Sequence, residues 1–168
     1  MGAWYRWLLI LMLANVGAGC GYRPLYGTGT DDRGVVAALS SVEIPVADSR
    51  LGQQIRNDLL SSMNFSSAGG SSRYSLKIEP ELTESNIIDR TLPNAGRRAV
   101  QLVVAYELAD QQSGNVVSSG KTFSQVSYDV VRQPFADAQA LENATVRAVH
   151  EVSGDIRTRL AAYFAAGR

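Results

Sequence analysis

The stretch Val100-Gln101-Leu102-Val103-Val104-Ala105-Tyr106-Glu107-Leu108 decides the fold. Its apolar residues recur at every second position, which places Leu102, Val104, Tyr106 and Leu108 on one face of a strand. The opposite face carries Gln101, Val103, Ala105 and Glu107, more apolar than solvent alone requires. Either β-propensity put Val103 there, or a partner covers that face. Asp110-Gln111-Gln112-Ser113-Gly114-Asn115 then reads as a hairpin loop that returns the chain into a strand from Val116 to about Tyr128.

Working outward from this hairpin, Tyr74, Leu76, Ile78 and Leu82 alternate with Ser75, Lys77, Glu79 and Glu81, the signature of a half-buried strand. Pro80 has no N–H for a ladder, so a bulge or a free edge is expected there. Residues 83–98 read two ways. Ile87-Ile88 extends the strand, whereas Thr91-Leu92-Pro93-Asn94-Ala95-Gly96 is turn-forming. Before the strands, Ser66 to Ser72 is a Gly/Ser-rich loop.

Two helices flank the strands. Leu51, Ile55, Leu59 and Met63 recur at a spacing of four behind an Asp48-Ser49 N-cap signal. Pro134 suits a first helical position, and Phe135, Ala138, Leu141, Thr145, Ala148, Val149, Val152, Ile156, Leu160, Tyr163 and Phe164 follow at threes and fours. About thirty helical residues span roughly 45 Å, and Gly154 inside them marks a possible bend. Ahead of the first helix, Leu39 to Val46 alternates as a short strand ending near Pro45. The expectation is an α+β fold of order β-α-β-β-β-α, a small four-stranded mixed sheet with both helices packed on one face.

The N-terminus carries a different signal. One basic residue, Arg6, precedes an apolar core from Trp7 to Val16 of about ten residues, too short to span a bilayer and suited to a secretory signal. Gly17-Ala18-Gly19 leads into Cys20, the only cysteine in 168 residues. A lone Cys there resembles a bacterial lipobox, with Cys20 lipidated and made the first mature residue. Gly17 departs from that pattern, which usually has a branched apolar residue at this place. An ordinary signal with Cys20 as a bystander is the alternative. Each buried methylene adds on the order of 0.8 kcal/mol, so a triacylated cysteine anchors durably. Cys20 to Gly34 is rich in Gly, Thr and Asp, and Arg23-Pro24 is extended or turn-like. The chain thus divides into a signal at 1–19, a lipid anchor and tether at 20–36, and a single domain at 37–168.

Composition narrows the function classes. Basic and acidic residues number 16 each, so no bulk attraction to nucleic acid operates. A single cysteine permits no internal disulfide. A single histidine, His150, excludes a multi-histidine metal site and any histidine-based triad built elsewhere in the chain. Lys77 lies in no Ser-x-x-Lys motif. Ser118-Ser119-Gly120-Lys121 has that spacing, but in the strand expected from Val116 its serine and lysine leave on opposite faces, so a periplasmic hydrolase is left without a nucleophile and base. No cofactor is expected.

Cys20-Gly21-Tyr22-Arg23-Pro24-Leu25-Tyr26-Gly27, followed by β-α-β-β-β-α with a long last helix, resembles the LptE family of lipopolysaccharide-assembly lipoproteins. Gly96-Arg97-Arg98 leading into residues 103–110, then Gly114, is similar to that family's central hairpin. The resemblance covers nearly the whole mature chain. It implies a non-enzymatic protein at the periplasmic face of the outer membrane, held there by its lipid anchor. Its implied partners are an LptD-like β-barrel, which it plugs and helps assemble, and lipopolysaccharide, which it helps deliver to the outer leaflet. A second reading is an auxiliary outer-membrane lipoprotein of an ABC-type lipid-trafficking system, distinguished by its partner.

An anionic lipid needs Arg or Lys at a strand end or loop. Arg90, Arg97 and Arg98 around the Pro93–Gly96 turn, and Lys121 on the following strand, are the candidates for lipopolysaccharide or barrel contact. The competing expectation is solvated charge at a hairpin mouth. Tyr22 and Tyr26 suit either the membrane interface or the barrel rim. Glu142, Arg147, Glu151, Asp155, Arg157 and Arg159 read as a charged outer helix face, and His150 as a structural or surface residue.

Overall fold

The computed structural model describes residues 32–63, 72–87, 96–130 and 132–167. The signal segment, Cys20, Tyr22, Tyr26, Arg90 and the turn from Thr91 to Ala95 lie outside the described residues, as does most of the Ser66–Ser72 loop. In chain order the elements are α1 (Asp32–Ser40), β1 (Val42–Glu43), α2 (Arg50–Ser62), β2 (Tyr74–Ile87), β3 (Arg97–Asp110), β4 (Val116–Asp129) and α3 (Pro134–Ala165). This is the α+β architecture expected, with a four-stranded mixed sheet of order β1-β2-β3-β4.

The start of the domain differs from the sequence reading. Asp32 to Ser40 is helical where a tether and then a strand from Leu39 were expected. Val35 and Leu39, one helical turn apart, pack on the core, and α1 lies against α3. Strand β1 shrinks to Val42–Glu43, paired parallel with Tyr74 and Ser75. Three helices, not two, therefore share one side of the molecule.

The central hairpin follows its periodicity. β2 pairs antiparallel with β3 without a break from Tyr74↔Asp110 to Ile87↔Arg97. Pro80 stands opposite Val104 inside that ladder, so no bulge forms there. Beyond Ser75, the other side of β2 has no strand partner among the described residues. Pro80 thus sits on a free edge, where a missing N–H is tolerated. Gly114 takes φ +72° in the β3–β4 connection, a conformation that favours glycine. Asp110 closes this loop by accepting the Gln112 and Ser113 N–H groups.

Leu76, Leu102, Val104, Leu108, Ile55, Leu59, Ile156 and Leu160 form the centre of the core. Ser49 caps α2 by accepting from the Gly52 N–H at 3.0 Å. Pro134 begins α3, and Gly154 does not interrupt the helix. Burial in α3 starts only at Ala144, and Phe135 and Ala138 are exposed. The sequence stripe extended further because spacing alone does not show where a helix outruns its sheet. The charged residues of α3 are also more than a solvated face. Glu151 accepts from the Ser124 hydroxyl, Asp155 from Thr122, and Glu142 from Arg50 and Gln54 of α2.

Candidate functional site

Covering one side of the sheet with helices leaves the other open, and the period of two fixes what it presents. Across β2, β3 and β4 the rows run Glu79-Ala105-Lys121, Glu81-Val103-Phe123 and Thr83-Gln101-Gln125. Val103 and Ala105 are half-buried, and Phe123 is 69% exposed. An apolar centre of small extent is bounded by charged and amide side chains. The aromatic ring of Phe123 was not singled out in the sequence. It was detectable there, since Thr122 and Ser124 take the core-facing positions of β4 and force Phe123 outward.

The structure separates the basic candidates. Arg97 and Arg98 are adjacent in β3, so their side chains leave on opposite faces. Arg97 lies on the open face, where its Nε donates to Asp129 Oδ1 at 3.2 Å across the strand pair. Lys121 shares that face, is exposed, and makes no ion pair among the described residues. Eight residues of β3 separate the row of Arg97 from that of Lys121, roughly 27 Å at strand rise. The two do not form one cation site.

Arg98 turns toward the helix side and is fully engaged. Its Nε donates to Asn86 Oδ1 at 3.2 Å, and its Nη1 to Glu84 Oε1 at 3.2 Å and Asp137 Oδ2 at 3.5 Å. The Tyr128 hydroxyl donates to the same Glu84 oxygen. A hydrogen bond with Tyr128 is the largest influence holding the Arg98 guanidinium in its charged form, and burial opposes it. Burial chiefly pushes the Tyr128 phenol upward; Glu84 adds to this and Arg98 opposes it. This cluster joins the far ends of β2, β3 and β4 to the first turn of α3. Its partners come from separations of 12 to 44 residues in the chain, which the sequence reading did not connect.

Other polar groups have local roles. Arg56 donates from Nε to the Ile44 carbonyl at 2.8 Å, pinning the segment after β1 to α2. His150 is an exposed surface residue whose Nδ1 lies 3.3 Å from Asp58 Oδ1. Ser61, which lines a surface groove together with Asp58 and His150, donates its hydroxyl to the Asp58 carbonyl and not to the imidazole. Among the described residues no group of three or more His, Cys, Asp or Glu side chains is placed to hold a metal. Nor is any helix there long and apolar enough to cross a membrane.

The sequence matches no protein-family model and no curated protein. Solved structures do match. A protein described as a lipoprotein from Caulobacter crescentus CB15 superposes with a TM-score of 0.67 at 27% identity, over 81% of this chain and 98% of that one. A minor lipoprotein from Acinetobacter baumannii gives 0.50 at 16% identity, over 72% and 90% of the two chains. Rare lipoprotein B from Shewanella oneidensis gives 0.54 at 14%, over 72% and 92%. All three structural neighbours are described as lipoproteins. The last two share the fold; the first also shares more than a quarter of its residues.

Proposed function

We propose that this protein is an outer-membrane lipoprotein of the LptE type. It is anchored through Cys20, plugs and helps assemble an LptD-like β-barrel, and assists delivery of lipopolysaccharide to the outer leaflet. The observation that carries the reading is the likeness to the Caulobacter lipoprotein across nearly that protein's whole length. A single cysteine after a short apolar leader supports anchoring. The open sheet face, with Phe123 and Val103 at its centre, supports a role as a binding module and not an enzyme.

The described basic residues contribute unequally to this reading. Arg98 is occupied by two carboxylates and acts as an internal brace. Arg97 and Lys121 are on the open face, as is Lys77, and are cations able to meet an acidic lipid group or the barrel wall.

The test is affinity capture from detergent-solubilised outer membranes, with mass spectrometry of the captured partner. A large β-barrel protein is the expected result. Recovery of an ABC-transporter-linked complex instead would favour the second lipoprotein reading, and recovery from membranes without any barrel overturns the first.

A further inference from the structure

We propose that β4 is a self-pairing edge. Two copies of this chain join their β4 strands antiparallel about a twofold axis at Gln125, merging two four-stranded sheets into one of eight strands.

β4 is the last strand of the sheet, is 14 residues long, and has no strand on its outer side among the described residues. Edges of that length are normally blunted by charged side chains, proline, bulges or a covering element, and the charges on this edge, Lys121 and Asp129, are of opposite sign. β4 contains no proline, and its register irregularity is confined to the loop end, opposite Leu108 and Ala109. Its one cover among the described residues is thin: Arg147 Nη2, on an exposed side chain, donates to the Ser127 carbonyl at 3.4 Å.

Two contacts fix which backbone groups point outward. The Val130 N–H bonds inward to the Gly96 carbonyl at 2.8 Å, while the Ser127 carbonyl is free to accept from Arg147. In an antiparallel ladder alternate residues point to opposite sides. Lys121, Phe123, Gln125, Ser127 and Asp129 therefore offer their N–H and C=O groups outward.

Charge selects one register from this row. With the axis at Gln125, Phe123 faces Ser127 of the second copy and Lys121 faces Asp129, once on each side of the axis. Shifting the axis to residue 124 sets Lys121 against Ser127, and shifting it to 126 sets Asp129 against Phe123. Lys121 makes no ion pair among the described residues, and the Asp129 side chain is 78% exposed even while it accepts from Arg97.

The helices agree with this register. Arg147 lies beside Ser127 and Glu151 beside Ser124, so they fall on either side of Gln125. The twofold brings Arg147 of each copy toward Glu151 of the other. α3 lies over both β3 and β4. Its two copies are then about two strand spacings apart, roughly 10 Å, a distance at which helices pack.

Sedimentation equilibrium of the full chain, in detergent micelles with reductant so that Cys20 forms no cross-link, tests the pairing. A reversible dimer is expected. Gln125→Pro removes an outward N–H that the native ladder does not use, and should give a monomer with unchanged circular dichroism and melting temperature. Lys121→Asp and Asp129→Lys should each weaken the dimer about tenfold, and the two together should restore it. Should Gln125→Pro lose its fold, Gln125→Cys in a Cys20→Ser background replaces it. Directly opposed residues in a hydrogen-bonded pair sit about 5.5 Å apart at Cα, within disulfide range. Oxidation should then yield a covalent dimer, and Thr83→Cys on β2 should not. A monomer up to about 1 mM overturns the proposal. So does a dimer indifferent to a folded Gln125→Pro, or cross-linking no better at residue 125 than at 83.

Discussion

Tyr106 and Gly120 face each other across β3 and β4, and the tyrosine oxygen lies 2.8 Å from the place a Cβ on Gly120 would take. The ring lies over the glycine, with Cζ at 3.0 Å and Cε1 at 3.1 Å from the same point. Tyr106 is only 5% exposed and packed in the core, so the ring has little room to retreat.

Gly120→Ala is therefore expected to cost about 1–3 kcal/mol through overpacking. Urea denaturation measures it. The same substitution in a Tyr106→Leu background should cost clearly less, because the contact it violates is gone.

The Arg98 cluster predicts a coupled loss. Tyr128→Phe leaves the ring packed but removes a hydrogen bond to a carboxylate, for a cost of about 1.5 kcal/mol. Hydrogen exchange should rise at residues 82–87 and 97–100 before the rest of the sheet, since that end has the least helix cover. Uniform exchange across β3 would contradict this local role.

The two faces of the sheet should respond unequally. Leu102→Ala deletes a fully buried side chain and should cost about 3 kcal/mol. On the open face, Phe123→Ser should change stability by no more than about 0.5 kcal/mol. If the open face contacts the barrel, the Phe123 variant should nonetheless lose barrel capture. Full capture by a folded variant would place the contact elsewhere.

Acid should act on the β3–β4 loop through Asp110. The N–H groups of Ser113 and Gln112 hold its carboxyl below its ordinary value, with Arg73 adding to this and desolvation opposing it. A carboxyl lowered by folding stabilises above its unfolded value, about 3.9, and that stability is lost as pH falls through the folded value. The melting temperature of Asp110→Asn should lie below that of the parent at neutral pH. The gap should close as pH falls below about 4. A gap constant with pH would rule out this linkage.

Anchoring through Cys20 makes its own prediction. Cys20→Ala should abolish incorporation of labelled fatty acid. Retention of label would rule out this cysteine as the acceptor.

Much of this fold is legible in the chain because its signals are local. The alternation at 74–82 and 100–108, the Ser49 cap, the loop at Asp110–Asn115 and the start of α3 at Pro134 each depend on neighbours within a few residues. Asp32 to Ser40 misled because Val35, Val36, Ala37, Ala38 and Leu39 are apolar enough to suit either period. Contact with α3 settled it as a helix. That Arg97 and Arg98 diverge was available from strand periodicity. That Arg98 is tied to Asp137, 39 residues away, was not.

By itself the sequence determined the period-two strands, the helix stripes and the lone cysteine behind an apolar leader, since steric and hydrophobic periodicity act along the chain. Only the tertiary structure decided which charges are braces and which are free. It turned Glu151 and Asp155 from a solvated face into partners of Ser124 and Thr122, and it left Lys121 beside Phe123 without an ion pair among the described residues. Pairing depends on distance in space, and those distances exist only once the helices are seated on the sheet.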